Sequence, residues 1–368
     1  MRIGMIAPLE MRVPPVAYGG IELVVSLLTE ELVRRGHDVT LFASGDSVTD
    51  ARLISSSPTS LRGTDADRAT LGMMNVSACL ARADSFDVIH NHTGYEGMVA
   101  AGLASRPMLS TIHGLPGGDW PTVFANYQGW YNTLSWSFKR QLPFKPDFAG
   151  VIHNGLDIDS YPFNGDAGRG EHLLFLSRIS REKGAHLAIS VARKLGRRLV
   201  LAGNVASYDE EYFRTYVLPQ IDGDRVQYVG EVDYDRKREV LQQPHCLLAP
   251  LTWDEPFGLF MVEALACGTP VVGLNRGSVS EVVRHGETGF VVDTLEEMAV
   301  AVGRVDSIDR WACRIDAQRR FGYRTMVDRY VAAYERVTSE TGVPVGPERR
   351  AAAHTSARAV GSLGGSER

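Results

Sequence analysis

Short apolar runs alternate with longer amphipathic ones along this chain of 368 residues, and the alternation starts afresh near its middle. In the first half, residues 2–7, 39–43, 87–90 and 107–112 read as strands. Helical periodicity covers 20–35, closed by Gly36, then 67–83 and 95–104. After a turn-rich stretch at 153–169, strands are expected at 172–176, 198–201, 226–228, 246–249, 270–273 and 290–292. Helices fall between them at 184–195, 210–218, 234–242, 259–267 and 279–284, and Ser278 and Glu281 have the spacing of a capping box for the last. Strands alternating with helices need right-handed crossovers and so imply parallel sheets with helices on both faces. The fold class is α/β, with two Rossmann-like, doubly wound parallel-sheet domains facing across a cleft. The first domain is placed at 1–153, a hinge at 154–168 and the second domain at 169–315. One continuous helical pattern over 316–338 suggests a C-terminal helix (316–342) that crosses back to the first domain, followed by a disordered tail at 343–368, rich in Ala, Gly, Ser and Arg. In doubly wound sheets the ligand sits at the carboxyl ends of the strands, here between the domains.

Composition excludes several classes. The length fits two or three domains of roughly 150 residues, and 44% apolar against 23% charged residues is an ordinary globular balance. A net charge of −5 argues against nucleic-acid binding, which shows a basic face. No apolar run reaches the roughly 18 residues that span a bilayer. The N-terminus, MRIGMIAPLEMRVPP, reads as a strand entering a loop and lacks the apolar block of a secretory signal. Four scattered cysteines (Cys79, Cys246, Cys267, Cys313) have no metal-ligand spacing, so a reduced, cytoplasmic protein is expected.

The segment at 253–293, WDEPFGLFMVEALACGTPVVGLNRGSVSEVVRHGETGFVVD, carries the clearest chemistry. Glu255 lies in a Pro/Gly loop, and Glu263 lies inside the following helix, which is expected to run from near Leu259 to Gly268. Gly268 suits the left-handed residue past a helix end. The helix start turns its free amides and positive dipole end toward the loop, with one acid at the mouth and another one turn down. Backbone amides of Phe257, Gly258 and Leu259 can hold phosphate and sugar, so a nucleotide sugar satisfies the whole arrangement. Glu263 sits in LFMVEALAC, too apolar for a merely solvated acid. Upstream, SRISREKG (177–184) follows a strand and opens a helix, where Arg178 as a planar fork and Lys183 as a mobile point charge can both reach one diphosphate. Alone it would read as a solvated charge run. Gly19 and Gly20, after the first strand, allow close backbone approach, although a lone Gly pair is more often a turn. They are not the G-x-G-x-x-G fingerprint, so NAD is not indicated. Glu22 reads as an acid complementing a helix dipole. His90, His92 and His113 end two strands, but no carboxylate or Cys completes a ligand set, so no metal is expected.

Together these segments resemble the retaining, nucleotide-sugar-dependent glycosyltransferases of GT-B fold in the large family four group. The resemblance covers about 1–338 and rests on YGGIELVVSLLTEELVRRGHDVTLFASGDS, DVIHNHT, TIHG, VIHNGLD, LSRISREKG, LAGN, YVGEV and the 253–293 block, with Glu-x7-Glu followed by ACGTPVV the most specific. It implies an acceptor-side first domain and a nucleotide-sugar-binding second domain. By resemblance, Arg178 and Lys183 bind the donor diphosphate and stabilise the leaving nucleotide, Glu255 holds a hydroxyl of the donor sugar, and Glu263 accepts hydrogen bonds from ribose. Gly19 and Gly20 lie beside the diphosphate when the cleft closes. His113 lies near the donor sugar, His92 is placed on the acceptor side, and Gly230–Val232 positions a UDP or GDP base through main-chain groups. No cofactor beyond the substrate is implied. Asp157 and Asp159 spell the D-x-D that holds manganese in another glycosyltransferase fold, but their hinge position reads as structural. The acceptor is a small molecule, glycan or lipid. Residues 130–144, WYNTLSWSFKRQLPF, could lie on a membrane, as in some relatives, but are not convincingly amphipathic, so membrane association is not favoured. Two rivals remain on the same scaffold: a nucleotide-sugar hydrolase or epimerase, and a non-catalytic nucleotide-sugar-binding protein.

Overall fold

A computed structural model describes residues 1–114, 118–143, 145, 147–163, 165 and 170–342; the tail expected to be disordered lies outside them. The first sheet contains β1 (Arg2–Ile6), β2 (Asp38–Phe42), β3 (Arg52–Ile54), β4 (Val88–Asn91), β5 (Met108–Ile112), β6 (Trp130–Thr133) and β7 (Phe148–Val151), in the order β3-β2-β1-β4-β5-β6-β7. The second contains β8 (Leu173–Leu176), β9 (Leu199–Ala202), β10 (Val226–Tyr228), β11 (Cys246–Ala249), β12 (Val271–Leu274) and β13 (Gly289–Val292), in the order β10-β9-β8-β11-β12-β13. All pairings are parallel; Ile3 lies opposite Val39 on one side and Val88 on the other. Their interiors are continuous apolar runs, such as fully buried Ile3, Met5 and Ile6, because helices cover both faces.

In each sheet the strand order reverses once, between β1 and β4 and between β8 and β11. At such a switch point the connections leave in opposite directions and open a crevice at the strand carboxyl ends. The loops after β1, β8 and β11 carry Gly19, then Arg178 and Lys183, then Glu255, and Gly20 opens the helix that follows the first loop.

Two expectations are corrected. The pattern at 316–338 is not one helix: Arg310–Phe321 and Tyr323–Glu340 are separated by Gly322, which is extended (φ −62°, ψ 135°) and bridges Leu156. Leu156 N donates to Phe321 O at 2.8 Å and Tyr323 N donates to Leu156 O at 2.9 Å. The break occurs where the chain changes cores. Ala317 and Phe321 pack in the second lobe, whereas Met326, Val327, Tyr330, Tyr334 and Val337 pack with Ile3, Met5 and Leu41 in the first. The capping box at Ser278 and Glu281 does not form either. Ser278 Oγ donates to Phe257 O at 2.7 Å, and the Glu281 carboxylate accepts from Trp136 N at 2.8 Å and Ser137 N at 2.5 Å across the lobes. Tertiary partners therefore took both side chains from the local motif. Ser135 Oγ donates to Pro256 O at 2.7 Å beside them, and Arg62 pairs with Glu231 at 2.8 Å at the other rim.

Candidate active site

A cavity of about 320 Å³ lies between the lobes. Its first-lobe wall is the start of the helix Gly20–Arg34, fifteen residues long, whose amides open onto it. Gly19 has φ 143°, and a Cβ there would lie 2.7 Å from Pro15 Cβ, so only glycine fits this turn. His113 follows β5 and completes this side.

The second-lobe wall is built from β8 and β11. Ser177 and Arg178 leave β8, and the chain turns at Gly184 (φ 80°) before the helix Ala185–Lys194. A Cβ on Gly184 would lie 2.1 Å from Pro250 O, so glycine lets the two loops touch and brings Lys183 to Glu255. Lys183 Nζ donates to the Glu255 carboxylate, which also accepts from Trp253 Nε1 at 3.1 Å. Glu255 is 7% exposed, so this pair is held away from bulk water. The helix Leu259–Ala266 begins after left-handed Gly258 (φ 79°), and Gly268 (φ 72°) closes its far end as its sequence predicts. Glu263 lies inside it, 5% exposed, and accepts from Tyr161 Oη at 2.9 Å and Lys237 Nζ at 2.7 Å. The Arg178 guanidinium contacts Glu182 and Tyr208 Oη and lies 3.2 Å from Asp209. The cleft thus holds three cations, each matched by an acid within the protein. An arriving dianion can compete for those cations, while the acids turn to hydroxyl donors.

Gly19, Gly20, His113, Arg178, Lys183, Val232, Glu255, Phe257, Gly258, Leu259 and Glu263 all line this one cavity. Gly230 does not: it stands behind the wall, its carbonyl accepting Gly203 N at 2.8 Å, while Glu231 and Val232 face inward. The Phe257 ring is 2% exposed and packs on His153 and Phe321, so it is the Phe257 backbone that meets the cavity. Tyr161 and Lys237, which hold Glu263, escaped sequence reading. Lys237 lies on a helix (Tyr234–Gln242) of strongly polar sequence, where one lysine carries no distinguishing pattern.

His92 is fully buried and lines a second cavity of about 410 Å³, which shares Ile21 and His113 with the first. Met98, Ile112, Trp120, Phe124 and Leu142 make that cavity mostly apolar. Burial lowers the pKa of His113 to about 4 and those of His90 and His92 well below the usual histidine range, so all three rings are neutral at pH 7.

Among the described residues, no group of three or more His, Cys, Asp or Glu side chains is placed to hold a metal ion. Asp159 instead accepts from Arg314 at 3.3 Å and Gln318 at 3.1 Å, pinning the crossing segment. The Trp130 stretch forms β6 and the helix Trp136–Gln141, with Trp130, Tyr131 and Phe138 packed inward, although Trp136 is exposed; Phe144 lies outside the described residues. No described helix is long and apolar enough to cross a membrane.

Comparison with known proteins agrees with this geometry. Residues 18–152 match the family model described as Glycosyltransferase Family 4, and 161–310 match the one described as Glycosyl transferases group 1. Glycogen synthase of Mycobacterium tuberculosis is 28% identical over 354 residues, covering 78% of this chain and 81% of its own. Phosphatidyl-myo-inositol mannosyltransferase of the same organism is 27% identical over 381 residues, covering 92% and 97%. The crystal structure of AviGT4, a glycosyltransferase involved in avilamycin A biosynthesis, superposes with a TM-score of 0.69 at 28% identity, over 92% of this chain and 98% of that one.

Proposed function

Because the chain belongs to the family four group of GT-B glycosyltransferases, we propose that it moves a sugar from a nucleoside-diphosphate sugar to an acceptor hydroxyl with retention of anomeric configuration and without a metal. The observation that carries this reading is the pair of buried cation–carboxylate contacts, Lys183–Glu255 and Lys237–Glu263, in one cleft with Arg178 and the start of a helix. The donor pyrophosphate displaces the acids from Lys183 and Arg178. As the anomeric C–O bond breaks, its electron pair passes to the leaving phosphate, and the two cations and the helix amides stabilise the growing charge. Glu255 then holds a donor-sugar hydroxyl and Glu263 the ribose.

The acceptor enters through the second cavity, which meets the first at His113. Its oxygen attacks the face from which the nucleotide leaves, and its proton goes to the departing phosphate oxygen. No strong protein base is then needed, in keeping with histidines whose basicity burial lowers. A cytoplasmic location and a UDP- or GDP-linked donor belong to the same proposal. Calorimetry of the purified chain against a panel of UDP- and GDP-sugars is the test, followed by NMR of the product's anomeric centre. Binding of one donor and a product that keeps its configuration support the proposal. Inverted product, or free sugar released at the same rate without acceptor, would overturn it.

A further inference from the structure

Behind His113 lies a buried chain of polar groups that the transfer step does not use. His113 Nε2 is 2.8 Å from His92 Nδ1, and His92 Nε2 is 3.2 Å from His90 Nδ1. His90 Nδ1 also meets Tyr334 Oη at 2.7 Å, and His90 Nε2 meets Thr111 Oγ1 at 2.7 Å. Thr111 Oγ1 donates to Asn132 Oδ1 at 2.8 Å and lies 3.0 Å from Tyr330 Oη. Tyr330 and Tyr334 both stand on the helix Tyr323–Glu340, which returns from the second lobe, and both are fully buried.

We infer that Tyr334 is a positioning residue that fixes the tautomer of His113 through His90 and His92, leaving His113 Nδ1 as a bare acceptor at the junction of the two cavities. A neutral imidazole carries one N–H and one lone pair, and a buried hydroxyl hydrogen left without an acceptor is strongly disfavoured. His90 Nδ1 is the only acceptor for the Tyr334 hydroxyl among the described residues, so Tyr334 donates to it. The His90 proton then sits on Nε2, where Thr111 Oγ1 accepts it while passing its own hydrogen to Asn132. His92 Nε2 faces that same His90 lone pair at the longer distance of 3.2 Å and shares it with the Tyr334 hydrogen, because two facing lone pairs would repel; the His92 proton therefore sits on Nε2 and leaves a lone pair on its Nδ1. That lone pair in turn requires the His113 proton on Nε2. The reverse order would turn every ring over, but it would strand the Tyr334 hydrogen. Burial raises the Tyr334 pKa well above the usual phenol range, so the group stays protonated and able to donate. Nδ1 of His113 has no hydrogen-bond partner among the described residues, and His113 lines both cavities. It is therefore set to accept from a substrate hydroxyl and not to donate to one.

Tyr330 supplies the control. It lies one helical turn from Tyr334, with the two rings stacked 6.2 Å apart, and it donates to Thr111 and not to a ring nitrogen. The full-length chain labelled with 15N in its histidines, with His113 signals assigned from a His113→Gln variant, reports each tautomer by NMR. The wild type should show His113 with a protonated Nε2 and a bare Nδ1. Tyr334→Phe weakens the bias between the two orders, leaving only the Thr111–Asn132 bond to favour one of them, and should produce a mixture, whereas Tyr330→Phe should leave the wild-type tautomer. A protonated Nδ1 in the wild type overturns the inference by itself, even if Tyr334→Phe does not fold. An unchanged tautomer in folded Tyr334→Phe, or equal effects of the two tyrosine variants, overturns it as well. The kinetic arm alone rests on the transferase reading: kcat should fall about 3- to 10-fold in Tyr334→Phe, as expected for one misplaced hydrogen bond, and stay near wild type in Tyr330→Phe. Equal kcat losses in both variants count against the inference, whereas absence of turnover in the wild type, with the tautomers as stated, would sink the transferase reading and leave the relay standing.

Discussion

Replacing Lys183 with alanine separates two roles that the structure gives to one side chain. Lys183 is the cation on the Glu255 carboxylate, and both side chains are largely shielded from water, at 12% and 9% exposure. Removing one partner of a fully buried pair costs roughly 3–5 kcal/mol, because the remaining charge is left uncompensated. Here the Trp253 indole still donates at 3.1 Å and the cleft admits water, so a stability loss of about 2 kcal/mol is expected, read by chemical denaturation. Turnover should suffer more. Losing one fixed donor to a developing oxyanion typically lowers kcat about 10²–10³-fold, roughly 3–4 kcal/mol of transition-state stabilisation. Adding Glu255→Gln to Lys183→Ala removes the stranded charge, so the double variant should regain most of the lost stability while turnover stays low. Stability would then recover without activity. Turnover of Lys183→Ala within about threefold of wild type would refute the reasoning.

Three further outcomes are expected. Glu263→Gln should raise the donor KM about tenfold, roughly 1.4 kcal/mol, with kcat little changed; an unaltered KM would remove Glu263 from the donor site. Burial raises the Glu22 pKa from 4.5 to about 7, so between those values the folded state holds a proton that the unfolded state releases, and stability falls as pH rises. Glu22→Gln should therefore stabilise the chain by about 3 kcal/mol at pH 8 and not at all at pH 4, read by denaturation at the two pH values; an equal effect at both would contradict the assignment. Truncation after Gly322 removes Met326, Val327, Tyr330, Tyr334 and Val337 from the first core. At about 1.5–3 kcal/mol per large side chain, the loss is comparable with the whole stability of an ordinary domain. Calorimetry should show no cooperative first-lobe transition, and an unshifted one would contradict that packing.

The second sheet was largely legible from sequence because five of its six strands are compact apolar runs punctuated by turn residues, Val226–Tyr228 at the edge being the exception. The first sheet was less so. The edge strand Arg52–Ile54 is three residues long and only partly buried, so it carries no apolar run. Trp130–Thr133 runs two aromatic residues into two polar ones, all four buried, because Asn132 and Thr133 bond within the core. The capping spacing at Ser278 and Glu281 was real as a pattern, but contacts with Phe257 and with Trp136 and Ser137 override it. In the cleft, the residues carried by glycine-bounded loops were visible because glycine marks where backbone must turn or approach. Tyr161 and Lys237 were not, because Glu263 meets them 102 and 26 residues away in sequence. The same distance hid Tyr334, which reaches His90 across 244 residues.

The central claim is that Arg178 and Lys183 receive the pyrophosphate of a nucleotide sugar between the lobes. A crystal structure of the chain with an intact UDP- or GDP-sugar tests it most directly. The account predicts phosphoryl oxygens about 3 Å from the Lys183 ammonium and the Arg178 guanidinium, with Glu255 turned to a sugar hydroxyl and Glu263 to the ribose. A bound donor whose phosphates lie elsewhere, with Lys183 still on Glu255 and Arg178 still on Glu182, would contradict it.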